Sequence, residues 1–204
     1  LNRLEEPTEG EIIVDGVVLS AQTENAIRTE MGMVFQNFNL FPHISVLNNV
    51  TIGPREVRGT PAEEAKKTAL ELLRRVGLED KANVFPSALS GGQRQRVAIA
   101  RAIAPTPRLL LLVEPFAAID AKVRKDLRVW LRQTISRLGV TSIFVTHDQD
   151  EAIEVADEIV VTNRGRIEQV GTPVEICTAP KTPFVAEFIG GGTQIHHLRR
   201  FRGF

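Results

Sequence analysis

Leu109-Leu110-Leu111-Leu112-Val113 run straight into Glu114-Pro115, so an unbroken apolar segment ends on a carboxylate. Such a run reads as a strand buried on both faces, and it delivers Glu114 to the strand's carboxyl end. A carboxylate held there suits general-base work: it orients a water and takes its proton, an effect worth about 10²–10⁴-fold in rate. One position earlier, where a second acid would hold a divalent cation, the chain has Val113. A second strand, TSIFVTH over 141–147, ends on His147. If the two strands are neighbours, Glu114 and His147 face one crevice at the carboxyl ends of the sheet, where open α/β sheets take their ligands. The third group is Leu89-Ser90-Gly91-Gly92-Gln93. Two glycines let a phosphate approach the backbone, and the N–H groups and dipole of a helix start favour an anion. The same residues also make an ordinary helix cap, and taken alone they leave both readings open.

Elements that position these groups alternate along the chain. EIIVDGVVLS predicts two short strands joined through Asp15-Gly16, and MGMVFQ predicts a strand over 31–36 that ends at Gln36. Thr60 as cap, Pro61 in the first turn and Glu63 three residues on predict a helix over 61–76, with Ala65, Ala69, Leu72, Leu73 and Val76 as its apolar stripe and Gly77 as its stop. Ser90 and Gln93 are spaced as a capping box for a second helix. A buried strand over 108–113, a long helix over 121–138 with Asp120 placed to cap it, and a buried strand over 141–147 come next. Asp148 and Glu151 form a third capping box, 157–171 turns as a hairpin at Asn163-Arg164-Gly165, and short helices lie around 173–178 and 182–189. All-apolar strands separated by helices imply parallel pairing with right-handed crossovers. The fold class is therefore α/β, a parallel core sheet with antiparallel hairpins.

Bulk properties exclude several roles. The 204 residues carry 25 basic and 25 acidic side chains, which gives no electrostatic argument for nucleic acid or an anionic membrane surface. The longest apolar stretch is Leu109–Val113, far short of the ~20 residues a bilayer span needs. The opening LNRLEEPTEG is polar and acidic, unlike a signal peptide, and it lacks an initiator Met. Cys177, the one cysteine, has no internal partner, which fits a reducing cytoplasm.

Four segments carry a family resemblance. LSGGQRQRVAIARA resembles the signature motif of ABC-type ATPases, and LLLLVEPFAAID their Walker B strand and D-loop. IFVTHDQDEA resembles the switch-histidine region, and MGMVFQNFNLFPHISVLNNV the Q-loop. They occur in family order over roughly residues 5–190. PVEI…PKTPFVAEFIG is similar to sulfate-type importers, whereas FNLFPHISVLNNVTIGPREVRG is closer to polar amino-acid importers. The resemblance implies a P-loop-NTPase-like fold over 1–190, with a helical signature subdomain about 40–100 and a linker and basic tail over 191–204. It implies ATP and Mg²⁺ as cofactors and an ATPase that drives solute import from the cytoplasmic face of the membrane. It further implies integral permease subunits, a second ATPase subunit in a homodimer or heterodimer, and, indirectly, a solute-binding protein. Glu114 would be the catalytic base and His147 the γ-phosphate sensor. Gln36 would contact the metal or attacking water and couple to the permease. Ser90, Gly91, Gly92 and Gln93 would grip the nucleotide of the opposite subunit, and Asp120 would cross the dimer interface.

Two departures qualify this expectation. No G-x-x-x-x-G-K-[ST] occurs in the 204 residues, and the first twelve resemble the family's segment immediately downstream of the P-loop helix. Val113 stands where the Walker B aspartate would hold the Mg²⁺ shell. The chain alone is thus expected to hydrolyse ATP poorly. The alternative is a non-catalytic subunit that donates only its signature motif to a partner's site. A non-transport ABC-type ATPase of DNA repair would carry zinc or coiled-coil insertions, and neither is visible. Residues 37–58 are expected to dock a permease helix through Phe38, Leu40 and Phe41 as an exposed apolar patch, with His43 at the surface. Arg94 and Arg96 are read as the solvated or packing face of the signature helix.

Overall fold

The computed structural model describes residues 2–117, 119 and 121–190, the side chains of Lys122 and Val123 excepted. Its elements fall into two units that divide between Val145 and Thr146. The first begins with β1 (Ile13–Val14) and β2 (Val17–Val18), paired antiparallel. Asp15 at φ 52° and Gly16 at φ 77° supply the two left-handed residues that this tight turn demands. After α1 (Glu24–Thr29) comes β3 (Met31–Val34). This strand stops two residues before the expected Gln36. Phe38 and Asn39 take φ of 63° and 47°, and the Phe38 N–H turns back to the Phe35 carbonyl at 3.0 Å, so the extended backbone cannot continue.

Three helices come next: α2 (Val46–Arg58), α3 (Ala62–Arg75) and α4 (Gly91–Ile103). They share a core of Val46, Val50, Ala69, Leu73, Val97 and Ala100, each at most 1 % exposed. Burying a side chain such as Leu73 contributes about 1.5–3 kcal/mol. The capping box expected from Thr60 and Glu63 does not form. Gly59 closes α2 in the left-handed region, the Thr60 N–H is drawn back to the Pro54 carbonyl at 3.0 Å, and α3 starts after Pro61 with no side-chain cap bond. The helix that the sequence pattern does not announce is α2.

The chain then enters β4 (Leu109–Val113), α5 (Ala121–Leu138) and β5 (Thr141–Val145). β3, β4 and β5 form a parallel sheet in that order, with Val34 opposite Leu112 and Val113 opposite Val145. β4, between two partners, is buried as expected. β5 is not: its side chains alternate between half-buried and exposed, and Ile143 and Val145 are 39 % and 50 % exposed. Its place at the edge, with β4 its one partner among the described strands, is the reason.

The second unit holds α6 (Gln149–Val155), β6 (Ile159–Asn163), β7 (Arg166–Gly171), α7 (Pro173–Thr178) and α8 (Pro183–Gly190). β6 and β7 pair antiparallel through Arg164 and Gly165, both left-handed. Val161, Ile176 and Val185 form its core. Buried Gln169 fastens the α7–α8 connection, donating to the Ala179 carbonyl at 3.1 Å and accepting from the Lys181 N–H at 2.7 Å.

Candidate functional site

Gln36 and Glu114 leave the same carboxyl edge of the sheet, because β3 and β4 are parallel neighbours in register. Gln36 is exposed and Glu114 half-buried. Glu114 has a φ of 46°, a left-handed conformation that costs a non-glycine residue on the order of 1–3 kcal/mol. Three contacts hold it there. Its N–H donates to the Val145 carbonyl at 2.9 Å, its carbonyl accepts from the Ala117 N–H at 3.2 Å, and Phe116, two residues on, is fully buried 5.8 Å from the Phe144 ring. Strain of this kind, fixed by its surroundings, gathers at sites where a side chain must be aimed.

Ser90 caps α4 in the box the sequence predicts. Its Oγ accepts from the Gln93 N–H at 3.3 Å, and Gln93 Oε1 accepts from the Ser90 N–H at 2.9 Å. With those donors engaged, the N–H groups of Gly91 and Gly92 remain the open donors of the helix start. Ser90 still has its hydroxyl proton to give, because the cap uses only a lone pair. The helix start can thus serve as cap and anion cradle together.

His147 lies in the second unit and is exposed. Both flanking side chains are engaged: Thr146 Oγ1 donates to Glu151 Oε2 at 2.6 Å, and Asp148 Oδ1 accepts from the Glu151 N–H at 3.1 Å. The third capping box is therefore half formed, since Glu151 turns to Thr146 instead of back to Asp148. Asp120, expected at the dimer interface, lies outside the described residues, as do 191–204.

The expected docking patch is smaller than the sequence suggested. Phe38 is buried beneath the Arg94 guanidinium, 5.7 Å from its ring, and Leu40 packs against the three-helix core. The left-handed turn at 38–39 swings Phe38 inward. What stays exposed is Phe41-Pro42-His43, with the two rings edge to face at 6.1 Å. Arg94 and Arg96 both pack on aromatic rings, Phe38 and Trp130.

Two side chains around this loop escape sequence reasoning. Fully buried Asn49 accepts from the Phe41 N–H at 2.8 Å and donates to the carbonyls of Phe41, Ile44 and Ser45. Arg101 reaches from α4 to the Phe38 and Asn39 carbonyls. An asparagine inside a helix that is not at its cap is the one available signal.

A parallel α/β sheet with two polar groups at its carboxyl edge and a Gly-Gly helix start beside a helical subdomain defines a P-loop-NTPase-like nucleotide-binding fold. Within it the chain belongs to the ABC transporter family, whose family model matches residues 1–117. The Sulfate/thiosulfate import ATP-binding protein CysA of Synechocystis sp. is 52% identical over 187 residues, covering 92% of this chain and 52% of that protein. The protein of the same name from Acinetobacter baylyi is 51% identical over 191 residues, 92% of this chain and 53% of its own length. The chain spans about half the length of these relatives. A solved dimeric ATP-binding cassette in a post-hydrolysis state, bound to ADP and Pi, superposes with a TM-score of 0.72 at 37% identity, over 84% of this chain and 77% of that one.

The donors at Ser90, Gly91 and Gly92 fit a nucleotide phosphate. A magnesium ion fits less well. Val113, half-buried at the end of β4, has two methyl groups and no oxygen to offer a cation, and among the described residues no three Asp, Glu, His or Cys side chains converge.

Proposed function

We propose that the chain is the ATP-binding and hydrolysing domain of an importer's ATPase subunit, at work on the cytoplasmic face of the membrane. Its partners in this reading are integral permease subunits, a second ATPase subunit and, indirectly, a solute-binding protein. The relatives' names point to sulfate or thiosulfate as the solute. The observation that carries the reading is 52% identity over 92% of the chain. Bound ATP supplies the phosphoryl group whose transfer to water drives the cycle. Glu114 orients that water and takes its proton. Ser90, Gly91, Gly92 and Gln93 hold the phosphates of a nucleotide carried mainly by the opposite subunit, while Asp120 crosses to it. His147 contacts the γ-phosphate, and Gln36 links the sheet edge to the permease-facing loop.

A second reading is favoured by Val113: a subunit poor in its own chemistry that completes its partner's site through Ser90–Gln93. A measurement of ATP binding with and without EDTA tests the account of Val113, which both readings share. The purified chain is expected to bind weakly and indifferently to EDTA. In a mixture with an intact homologous ATPase subunit, Ser90→Ala is expected to lower hydrolysis. Tight, magnesium-dependent binding by the chain alone would overturn the account of Val113.

A further inference from the structure

Arg101 sits in the last turn of α4, the helix whose other end is Ser90, about 16 Å away at 1.5 Å per residue. Its side chain leaves the helix and forks. Nη1 donates to the Asn39 carbonyl at 2.6 Å and Nη2 to the Phe38 carbonyl at 3.0 Å, while the guanidinium lies 5.8 Å from the centre of the Phe41 ring. Phe38 and Asn39 are the two left-handed residues that turn the chain away from Gln36. Seven residues earlier on α4, Arg94 stacks on the Phe38 ring. Burial makes the Arg101 charge costly and pulls its pKa below the usual arginine value. Among the described residues no carboxylate forms an ion pair with it; the charge is met by two carbonyls and a ring. A half-buried cation without an acid is a poor way to gain stability. It is a good way to fix the two carbonyls of a left-handed turn, because the planar fork aims a donor at each in a set geometry, whereas a lysine ammonium swings on a flexible stem. The helix end is itself fixed. A Cβ on Gly32 of β3 would come within 2.4 Å of the Ala102 carbonyl oxygen, so the end of α4 packs directly on the strand backbone.

We propose that Arg101 is a positioning residue that locks residues 37–41 onto α4, so that the phosphate-gripping helix and the exposed Phe41–His43 surface move as one piece. The lock stands on geometry alone. Its consequence for transport rests on the proposal that this surface docks the permease.

Amide hydrogen exchange in the full chain tests the lock. Arg101→Met removes the fork and keeps bulk. Exchange of the Phe38, Asn39 and Phe41 amides is expected to rise at least about tenfold, with Ala65–Leu73 of α3 unchanged. Arg101→Lys, which keeps the charge but not the fork, is expected to fall between. Unchanged exchange at 37–41 in Arg101→Met overturns the lock. If that variant loosens everywhere, Arg101→Lys decides, and wild-type exchange at 37–41 in the lysine variant rejects the fork. Permease co-purification forms the second arm, with Phe41→Asp as reference. Both Phe41→Asp and Arg101→Met are expected to lose the permease. Retention by Phe41→Asp rejects the docking reading and leaves the lock standing. Loss by Phe41→Asp with retention by a loosened Arg101→Met rejects the link between lock and docking.

Discussion

Asn49→Asp changes one atom's chemistry in a site that the structure specifies fully. Oδ1 of Asn49 accepts from the Phe41 N–H at 2.8 Å, and an aspartate keeps that bond. Nδ2 faces three carbonyl oxygens, of Phe41 at 3.0 Å, Ile44 at 3.3 Å and Ser45 at 3.0 Å. In the variant a carboxylate oxygen meets them instead. The two N–H bonds shared among these three carbonyls disappear, at about 0.5–1.5 kcal/mol each, and an unpaired charge is left fully buried. Uncompensated buried charge alone typically costs about 3–5 kcal/mol, so the total loss is expected at or above that range. For a chain of this size 1 kcal/mol is worth about 2–4 °C in Tm, which gives a fall of at least about 6 °C. Calorimetry on the purified chain reads it directly, and hydrogen exchange places the damage at residues 41–45. A fall below about 2 °C would mean that the asparagine is not the internal tie of the loop, and the rigid presentation of Phe41 would lose its support.

Val113→Asp in the assembled transporter is expected to make ATP binding respond to EDTA, by about 10- to 100-fold, the equivalent of one charge-assisted contact of roughly 1.5–3 kcal/mol. Continued indifference to EDTA would mean that an acid at position 113 does not bring a metal to the nucleotide. Glu175 is held below the ordinary carboxylate value of 4.5, first by the Thr172 backbone N–H and hydroxyl, then by Lys181. A depressed folded-state pKa stabilises above the unfolded value and loses that contribution as pH falls through the folded one. Glu175→Gln is therefore expected to loosen α7 at neutral pH, with the gap from wild type closing below pH 4.5; a gap constant through that range counts against the cap.

Where the sequence spoke through local chemistry, the structure follows it. Asp15-Gly16 and Arg164-Gly165 turn their hairpins because those positions need left-handed residues. Ser90 and Gln93 cap α4 reciprocally, and the Leu109–Val113 run is the central strand. Misses arise where tertiary contacts decide. α2 contains Gly53, Pro54, two asparagines and β-branched residues, a poor helix by propensity, and it forms because Val46 and Val50 are buried against α3 and α4. Phe38 looks like a surface anchor until an unforeseen left-handed turn sends it beneath Arg94. β5 reads as buried because its residues are apolar, but only its neighbours determine what covers it. At the candidate site, Glu114 and Ser90–Gln93 stand out by residue type and order, and Gln36 through the family resemblance. Asn49 and Arg101 act through backbone carbonyls, those of Arg101 distant in sequence, a partnership that no local pattern encodes.

The order of the sheet has a kinetic side. β3 pairs with β4, yet the whole of α2, α3 and α4 lies between them in the chain. Closing so long a loop before its contents are ordered forfeits chain entropy with little early reward. The inserted helices have a core of their own, assembled within residues 46–104. Once they pack, the span from Val34 to Leu109 is no longer a free loop but a folded body whose two ends come out beside each other. Packing of the helices is therefore expected to precede pairing of β3 with β4, so that the chemistry-bearing edge of the sheet forms late.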